Sequence, residues 1–278
     1  MSSPKRAACV IGWPAKFSRS PKLHGYWIKK YGIDGDYRAE DVTAEDFPGF
    51  LGNLAAKGYV GCNITMPHKE AAMKLTEPDE RARKVGVCNT VWLADGKLKS
   101  TNTDVEGFIG ALDQCAPGWD KRTKTAAVLG AGGAGRAVVF GLVERGIETI
   151  YVVNRTFEKA QEFVGRFGPS IKPARWDEIP ALLAKADLLV NSTPLGMKGQ
   201  APLEIDLSPM KSTAVVSDII YVPLETELLK QARLRGFPTS NGLDMLLHQA
   251  VRGFTEWFGV KPEVTKEQRD MLVADLVG

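Results

Sequence analysis

The run Thr125-Ala126-Ala127-Val128-Leu129-Gly130-Ala131-Gly132-Gly133-Ala134-Gly135-Arg136-Ala137-Val138-Val139-Phe140 decides how this chain folds. Its first five residues suit a short buried strand and its last residues a helix, with Gly130 to Gly135 between them. That spacing satisfies G-x-G-x-x-G, a weak signal alone and a specific one between a strand and a helix. Each glycine answers a separate demand. The first permits a tight turn, the second lets backbone approach a pyrophosphate, and the third lets helix and strand pack closely. The free N–H groups and positive dipole end of the helix then face the phosphates. The backbone of Gly130, Ala131, Gly132, Gly133 and Ala134 is therefore expected to hold a dinucleotide.

The next strand indicates which dinucleotide. An NAD-preferring fold carries Asp or Glu about 20 residues on, bonded to the ribose 2′-hydroxyl. At the end of the apolar run Thr149–Val153 this chain instead has Asn154-Arg155-Thr156, with Lys159 a turn later. Arg155 and Lys159 suit a dianionic 2′-phosphate, and Glu158 lies on the helix between them. The reading is NADP(H).

Further from the fingerprint, short apolar runs alternate with helical patterns, as in a parallel α/β architecture. Strands are expected at 7–12, 36–40, Tyr59–Ile64 and 90–93, then at Thr125–Leu129, Thr149–Val153, Leu188–Asn191 and Val215–Asp218. Helices are expected at 133–145, Phe157–Phe167 and 225–235, and from Asn241 onward. Ser20-Pro21 reads as a helix start, with Ser20 as N-cap and Pro21 at the first helical position. At 278 residues two domains are the natural division. A substrate domain is expected over 1–106, completed by 241–278, and a Rossmann domain over 107–240, with Pro117-Gly118 and the polar stretch 120–124 near the seam.

Composition narrows the function. A net charge of +3 with scattered Lys and Arg gives no ground for nucleic-acid binding. Cys9, Cys62, Cys88 and Cys115 show no metal or redox spacing, and the three histidines are widely separated, so no metal site is expected. Cys9, Cys62 and Cys88 sit in apolar runs and read as buried free thiols. No apolar run reaches the length of a membrane span, and 7–12 is too short for a signal-peptide core. A cytoplasmic enzyme is expected.

The first hundred residues carry short hydrogen-bonding side chains after each strand: Ser18 and Ser20, Asn63 and Thr65, Asn89-Thr90, and Asn102-Thr103-Asp104. Ligands of open α/β sheets sit beyond the carboxyl ends of strands, so these groups are expected to converge on a compact hydroxylated ligand. Lys69 stands at a helix start, an unfavourable place for a cation against the dipole. Paired with Asp104, it would polarise a carbonyl and deliver a proton.

Together these segments resemble the shikimate dehydrogenases. Gly12-Trp13-Pro14-Ala15-Lys16-Phe17-Ser18-Arg19-Ser20-Pro21 is similar to the family's N-terminal serine motif, and Asn63-Ile64-Thr65-Met66-Pro67-His68-Lys69 to its N-V-T-x-P-x-K motif. Gly86-Val87-Cys88-Asn89-Thr90, Asn102-Thr103-Asp104, the run from Asn191 to Met197, the run from Asp218 to Thr226 and the run from Gly242 to Ala250 resemble its later segments. The resemblance implies NADPH-dependent, reversible reduction of 3-dehydroshikimate to shikimate in aromatic amino-acid biosynthesis, by a substrate domain joined to a Rossmann domain. It implies Lys69 and Asp104 as the catalytic pair. It places Ser18, Ser20, Asn63, Thr65, Asn89, Tyr221 and Gln249 with them on the substrate. Cofactor contacts are implied for Asn154, Arg155, Thr156, Lys159, Thr193, Ile219, Gly242 and Glu80 beside the fingerprint.

The chain departs from the family's usual pattern at Ala15, Phe17, Val87, Cys88, Ser100-Thr101 and Gly135, none of which removes a reacting group. Broader use of quinate, a silent NADPH sensor and a folate-linked methylene dehydrogenase are the competing readings. A homodimer is one assembly open to it.

Overall fold

The computed structural model describes residues 6–277. These form two compact units, 6–103 with 249–277, and 104–248.

In the first unit the chain runs β1 (Arg6–Gly12), α1 (Ser20–Lys30), β2 (Gly35–Asp41), α2 (Phe47–Gly52), β3 (Tyr59–Ile64), α3 (Lys69–Leu75), β4 (Glu77–Pro78), α4 (Glu80–Val85), β5 (Thr90–Ala94) and β6 (Lys97–Thr101). The sheet order is β2-β1-β3-β5-β6-β4. It is mixed, because β5 runs antiparallel to both β3 and β6, where the sequence pattern suggests parallel strands throughout. The β5–β6 connection explains the second of these pairings. Asp95 and Gly96 both have positive φ, 52° and 71°, as a two-residue hairpin with the right twist requires. The Asp-Gly pair was the readable signal; the polar alternation of Lys97-Leu98-Lys99 hid β6. Cys9, Ile11, Phe47, Leu51, Ile64, Cys88 and Val91 form the buried core on one side of this sheet. Cys9, Cys62 and Cys88 are free and buried, as expected, and burial pushes the Cys88 thiol up to about 11.

The second unit continues with α5 (Asp104–Cys115), α6 (Trp119–Arg122), β7 (Thr125–Leu129), α7 (Gly133–Glu144), β8 (Thr149–Val153), α8 (Phe157–Phe167), β9 (Ile171–Ala174), a 3-10 turn at Trp176–Glu178, α9 (Ile179–Leu183), β10 (Leu188–Asn191), β11 (Val215–Asp218), α10 (Glu227–Leu234), β12 (Thr239–Ser240) and α11 (Gly242–Phe258). Its sheet is wholly parallel, in the order β12-β11-β10-β7-β8-β9. That is the doubly wound order, and the fingerprint loop leaves β7 at the point where strand order reverses. Residues 126–129 of β7 are buried, as a central strand covered on both faces must be.

The units part at 103/104 and 248/249 rather than at the expected seams, for a packing reason. Helix α5 lies on α7, where Gly141 is so close to Ile109 that a methyl would come within 3.1 Å of its side chain. The start of α11 belongs to the same unit: a methyl on Gly110 would meet His248 at 2.7 Å. The remainder of α11 and α12 (Lys266–Val277) belong to the first unit. There Trp257 donates its indole N–H to the Val91 carbonyl at 2.9 Å, over a Gly61 that leaves it room.

Candidate active site

The polar residues of the first unit gather through backbone geometry. Thr65 N–H donates to the Ile11 carbonyl at 2.9 Å, bringing the end of β3 against the end of β1. Gly12 makes that approach possible, since a Cβ there would stand 2.4 Å from Thr65 Cγ2. The following loop is pinned by Asp41, whose Oδ1 accepts from Ala15 N–H at 2.5 Å and Lys16 N–H at 3.1 Å. Ser18 and Ser20 stand at its end. Ser20 is not the N-cap that the sequence suggests. Arg19 occupies the cap position and Ser20 is the first residue of α1, its N–H donating to Ser18 Oγ at 3.2 Å. A serine two residues upstream thus satisfies the orphan donor that a capping side chain would meet.

Lys69 opens α3. His68, which precedes it, is fixed by two contacts absent from any motif reading. Its Nε2 lies 2.7 Å from the Val42 carbonyl, and its ring stacks on Phe47 at 4.3 Å. The half-buried Lys69 therefore leaves a rigid turn, and its charge acts on Cys88, next to Asn89.

Asn89 is the centre of a hydrogen-bond system. Its Oδ1 accepts from Thr103 N–H at 2.8 Å, Thr103 Oγ1 at 3.1 Å and Thr90 Oγ1 at 3.2 Å. Its Nδ2 donates to Gln249 Oε1 at 3.2 Å, and Thr103 Oγ1 lies 3.3 Å from the same oxygen. Gln249 commits its oxygen to protein, and its Nε2 takes no part in this network. Asn63 Nδ2 donates to the Asn89 carbonyl at 3.2 Å and to Thr90 Oγ1 at 3.1 Å, while its Oδ1 accepts from Tyr37 Oη at 2.6 Å. Asn63 thus spends both hydrogens internally. Asn102 braces this segment from below, its Nδ2 donating to the Val87 carbonyl at 3.0 Å. Glu80, expected on the cofactor, pairs with Lys84 on the exposed side of α4, which holds its carboxyl below the usual range.

The second unit builds the fingerprint as its glycines dictate. Gly130 has φ 105°, and a Cβ there would lie 2.8 Å from Ser192 Oγ. Gly135 stands where the family usually has Ala or Ser. Here a Cβ would come 2.4 Å from the Gly130 carbonyl oxygen, so the helix sits against the loop as closely as glycine allows. Gly132 and Gly133 face open space, and no side chain caps the α7 N-terminus. Open backbone donors over a crowded floor are what a pyrophosphate requires, and the residues fit a dinucleotide on that observation.

Asn154 at the end of β8 accepts from Ala131 N–H at 3.1 Å and fixes Thr156 through its carbonyl at 2.9 Å. Arg155 and Lys159 are exposed beside it. Asp104 is the first residue of α5, next in the chain to Thr103.

Two further motifs support each other. Asn191 Nδ2 donates to Asp218 Oδ1 at 3.1 Å, and its own Oδ1 receives Thr193 Oγ1 at 2.7 Å. Asp218 also accepts from Ile220 N–H at 3.1 Å and Thr226 Oγ1 at 2.7 Å, which shapes the loop carrying Ile219 and Tyr221. Burial raises the Asp218 carboxyl even so, against the pull of these donors. Gly242 passes so near Ile219 that a Cβ would be 2.0 Å from its carbonyl oxygen. Among the described residues no cluster of His, Cys, Asp and Glu could hold a metal, and no helix is long and apolar enough to cross a membrane.

Known proteins share this sequence and this fold. Residues 10–91 match the family described as "Shikimate dehydrogenase substrate binding domain", 114–198 "Shikimate / quinate 5-dehydrogenase" and 242–266 "Shikimate 5'-dehydrogenase C-terminal domain". A shikimate dehydrogenase (NADP(+)) of Rhodopseudomonas palustris (strain TIE-1) is 58% identical over 99% of both chains. The chain belongs to the shikimate dehydrogenase family. A second such relative, the shikimate dehydrogenase (NADP(+)) of Nitrobacter winogradskyi, is 56% identical over 98% of this chain and 97% of its own.

Among solved structures, shikimate 5-dehydrogenase from Thermus thermophilus in complex with NADP(H) and shikimate superposes with a TM-score of 0.85. It is 32% identical, over 97% of this chain and 99% of that one. Quinate dehydrogenase from Corynebacterium glutamicum in complex with NAD gives 0.90 at 30% identity, with the same coverage.

Sequence reasoning missed Tyr37, His68 and Asp41. For His68 and Tyr37 no local signal existed, since their partners lie 26 residues away in each case.

Proposed function

We infer that this protein interconverts 3-dehydroshikimate and shikimate with NADPH and NADP, a step of aromatic amino-acid biosynthesis. The observation that carries the reading is the network in the first unit. Asn89, Thr103 and Gln249 lock one another, and Lys69 leaves a fixed turn beside the same strand ends. Such a floor suits a rigid ring bearing several hydroxyls. The end-to-end likeness to NADP(+) shikimate dehydrogenases names the ring.

Lys69 Nζ donates to the ring ketone oxygen and gives it a proton as that oxygen gains charge; in the reverse direction it takes the proton back. When bound, the reduced nicotinamide supplies the hydride. We assign Asp104 as the carboxylate partner of this acid–base step. Ser18 and Ser20 hydroxyls donate to the substrate carboxylate, Gln249 Nε2 and Asn89 serve ring oxygens, and Thr65, Asn63 and Tyr221 complete the set. The α7 N-terminus, Asn154, Arg155, Thr156 and Lys159 would hold the dinucleotide, with Thr193, Ile219, Gly242 and Glu80 as further contacts. A cytoplasmic setting, consistent with four free cysteines, and a homodimer complete the proposal.

The test is turnover of purified protein followed at the reduced-nicotinamide absorbance band, with shikimate and quinate each paired with NADP and NAD. Shikimate with NADP is expected to give the highest kcat/KM. Lys69→Ala is expected to lower kcat by about two to four orders of magnitude. Near-normal turnover by that variant would remove Lys69 from the mechanism.

A further inference from the structure

We propose that Asp218 is a positioning residue for hydride transfer. Its carboxylate fixes the loop of Ile219 and Tyr221 against the segment of Thr193, so that its loss slows the chemical step more than it weakens binding. The inference rests on the assignment of Thr193 and Ile219 to cofactor and of Tyr221 to substrate.

Asp218 ends β11 and Asn191 ends β10, at paired positions of the parallel sheet. Each hydrogen bond that the Asp218 carboxylate makes among the described residues is one it accepts. Asn191 Oδ1 receives Thr193 N–H at 3.0 Å and Thr193 Oγ1 at 2.7 Å. The amide nitrogen of Asn191 must therefore face Asp218 Oδ1 and the Leu195 carbonyl, each at 3.1 Å. Thr226 Oγ1 caps α10 by accepting from Leu229 N–H at 3.4 Å, which turns its own hydrogen to Asp218 Oδ2. Ile220 N–H can only donate, and it meets Oδ1. Donors from a strand end, a loop and a helix start thus converge on one buried, acceptor-only group.

The loop inherits its shape from these bonds. The Asn191 carbonyl accepts from Ile219 N–H at 3.1 Å, and the Ile220 carbonyl accepts from Gly242 N–H at 3.0 Å. Ile220 is buried, while Ile219 and Tyr221 on either side of it keep exposed surface. Thr193 is tied to the carboxylate through Asn191, and Ile219 and Tyr221 through the backbone of Ile220. Loss of an acceptor oxygen leaves a buried donor unsatisfied and frees the loop to shift. Rate is far more sensitive than affinity to such a shift, since about 1 Å of misplacement can cost about 10²-fold. The fingerprint loop, which would carry most of the dinucleotide's phosphate contacts, makes none of these bonds.

Asp218→Asn keeps the side-chain shape and one acceptor oxygen but sets an amide nitrogen against one of the donors. It is compared with wild type, Thr226→Val and Thr226→Ser by steady-state kinetics in NADP and shikimate. Shikimate is used unlabelled and deuterated at the carbon that gives up hydride. Asp218→Asn is expected to lower kcat about tenfold or more while each KM stays within about threefold of wild type. Its deuterium isotope effect on kcat is expected to be at least as large as that of wild type, because hydride transfer is the step that slows. Thr226→Val withdraws one donor from outside the loop and is expected to lower kcat about threefold with the same isotope signature. Thr226→Ser restores the hydroxyl and is expected to recover wild-type kcat.

Unchanged kcat in Asp218→Asn overturns the inference, whether or not its Tm falls. So does a rise in either KM as large as the fall in kcat, or an isotope effect smaller than that of wild type. If Asp218→Asn does not fold, the two Thr226 variants decide by the same criteria. Thr193→Val and Tyr221→Phe are measured beside them. If both leave kcat and KM unchanged while Asp218→Asn behaves as expected, the assignment of those two side chains fails and the positioning role of the carboxylate stands.

Discussion

Asn89 Nδ2 donates to Gln249 Oε1 at 3.2 Å, joining residues 160 positions apart in the chain. Gln249 thereby has two separable parts, an oxygen that braces Asn89 and Thr103 and the nitrogen that we propose serves substrate. Gln249→Glu keeps an acceptor and removes the donor. It is expected to raise the KM for shikimate at least tenfold, with a Tm close to wild type. Gln249→Ala removes both, and is expected to raise KM similarly while lowering Tm by a few degrees, as roughly 1 kcal/mol of buried hydrogen bonding is lost. Equal Tm values for the two variants would contradict the bracing role.

Asp41 holds the serine loop through the Ala15 and Lys16 N–H groups without reaching Ser18 or Ser20 itself. Asp41→Ala is expected to raise the KM for shikimate about fivefold and to leave the KM for NADP unchanged, because the loop loses its anchor while the fingerprint is untouched. Asp41→Asn, which retains an acceptor, is expected to fall between. Kinetics of the three proteins in both substrates decide the point, and a larger effect on NADP than on shikimate counts against it.

Arg155 is exposed at the end of β8, where an NAD-preferring fold has a carboxylate. Arg155→Ala is expected to raise the KM for NADP by about tenfold or more and to change the KM for NAD by less than about twofold, since only one of them carries the 2′-phosphate. Parallel changes for both cofactors would refute the assignment.

His24 links folding to pH. Burial lowers its pKa from 6.5 to about 3, so it stays neutral in the fold and takes up a proton near 6.5 when the chain unfolds. A depressed folded-state pKa means that its contribution is present above pH 6.5 and is lost as pH falls toward 3. The unfolded chain binds the extra proton over that interval, at a slope approaching about 1.4 kcal/mol per pH unit. His24→Phe lacks this term. Urea unfolding of both proteins from pH 8 to pH 4 is expected to show wild type losing stability relative to the variant below about pH 6.5. A constant difference across the series would mean that His24 is not neutral in the fold.

Much of this was written locally in the chain. The strand–glycine–helix run placed the dinucleotide loop because turn, approach and packing are each set by residues within a few positions. The N-x-T-x-P-x-K segment, inside the matched stretch 10–91, was legible for the same reason, as was the Tyr59–Ile64 strand, which the structure reproduces residue for residue. The β5–β6 hairpin of the first sheet was also encoded locally, in Asp95-Gly96, where two successive positive φ angles select that turn.

The tertiary structure alone decided what those residues do with their hydrogen bonds. Sequence gives Asn63 and Gln249 the same inventory of donors and acceptors. Only the fold commits both hydrogens of Asn63 and the oxygen of Gln249 to protein. The same holds for the seams, which moved because α5 packs on α7, and for Tyr37, His24 and Asp41, whose partners come from other strands or helices. Periodicity and turn chemistry act over a few residues, so a sequence can carry them. The satisfaction of buried polar groups is settled between segments far apart in the chain, and only when those segments have met.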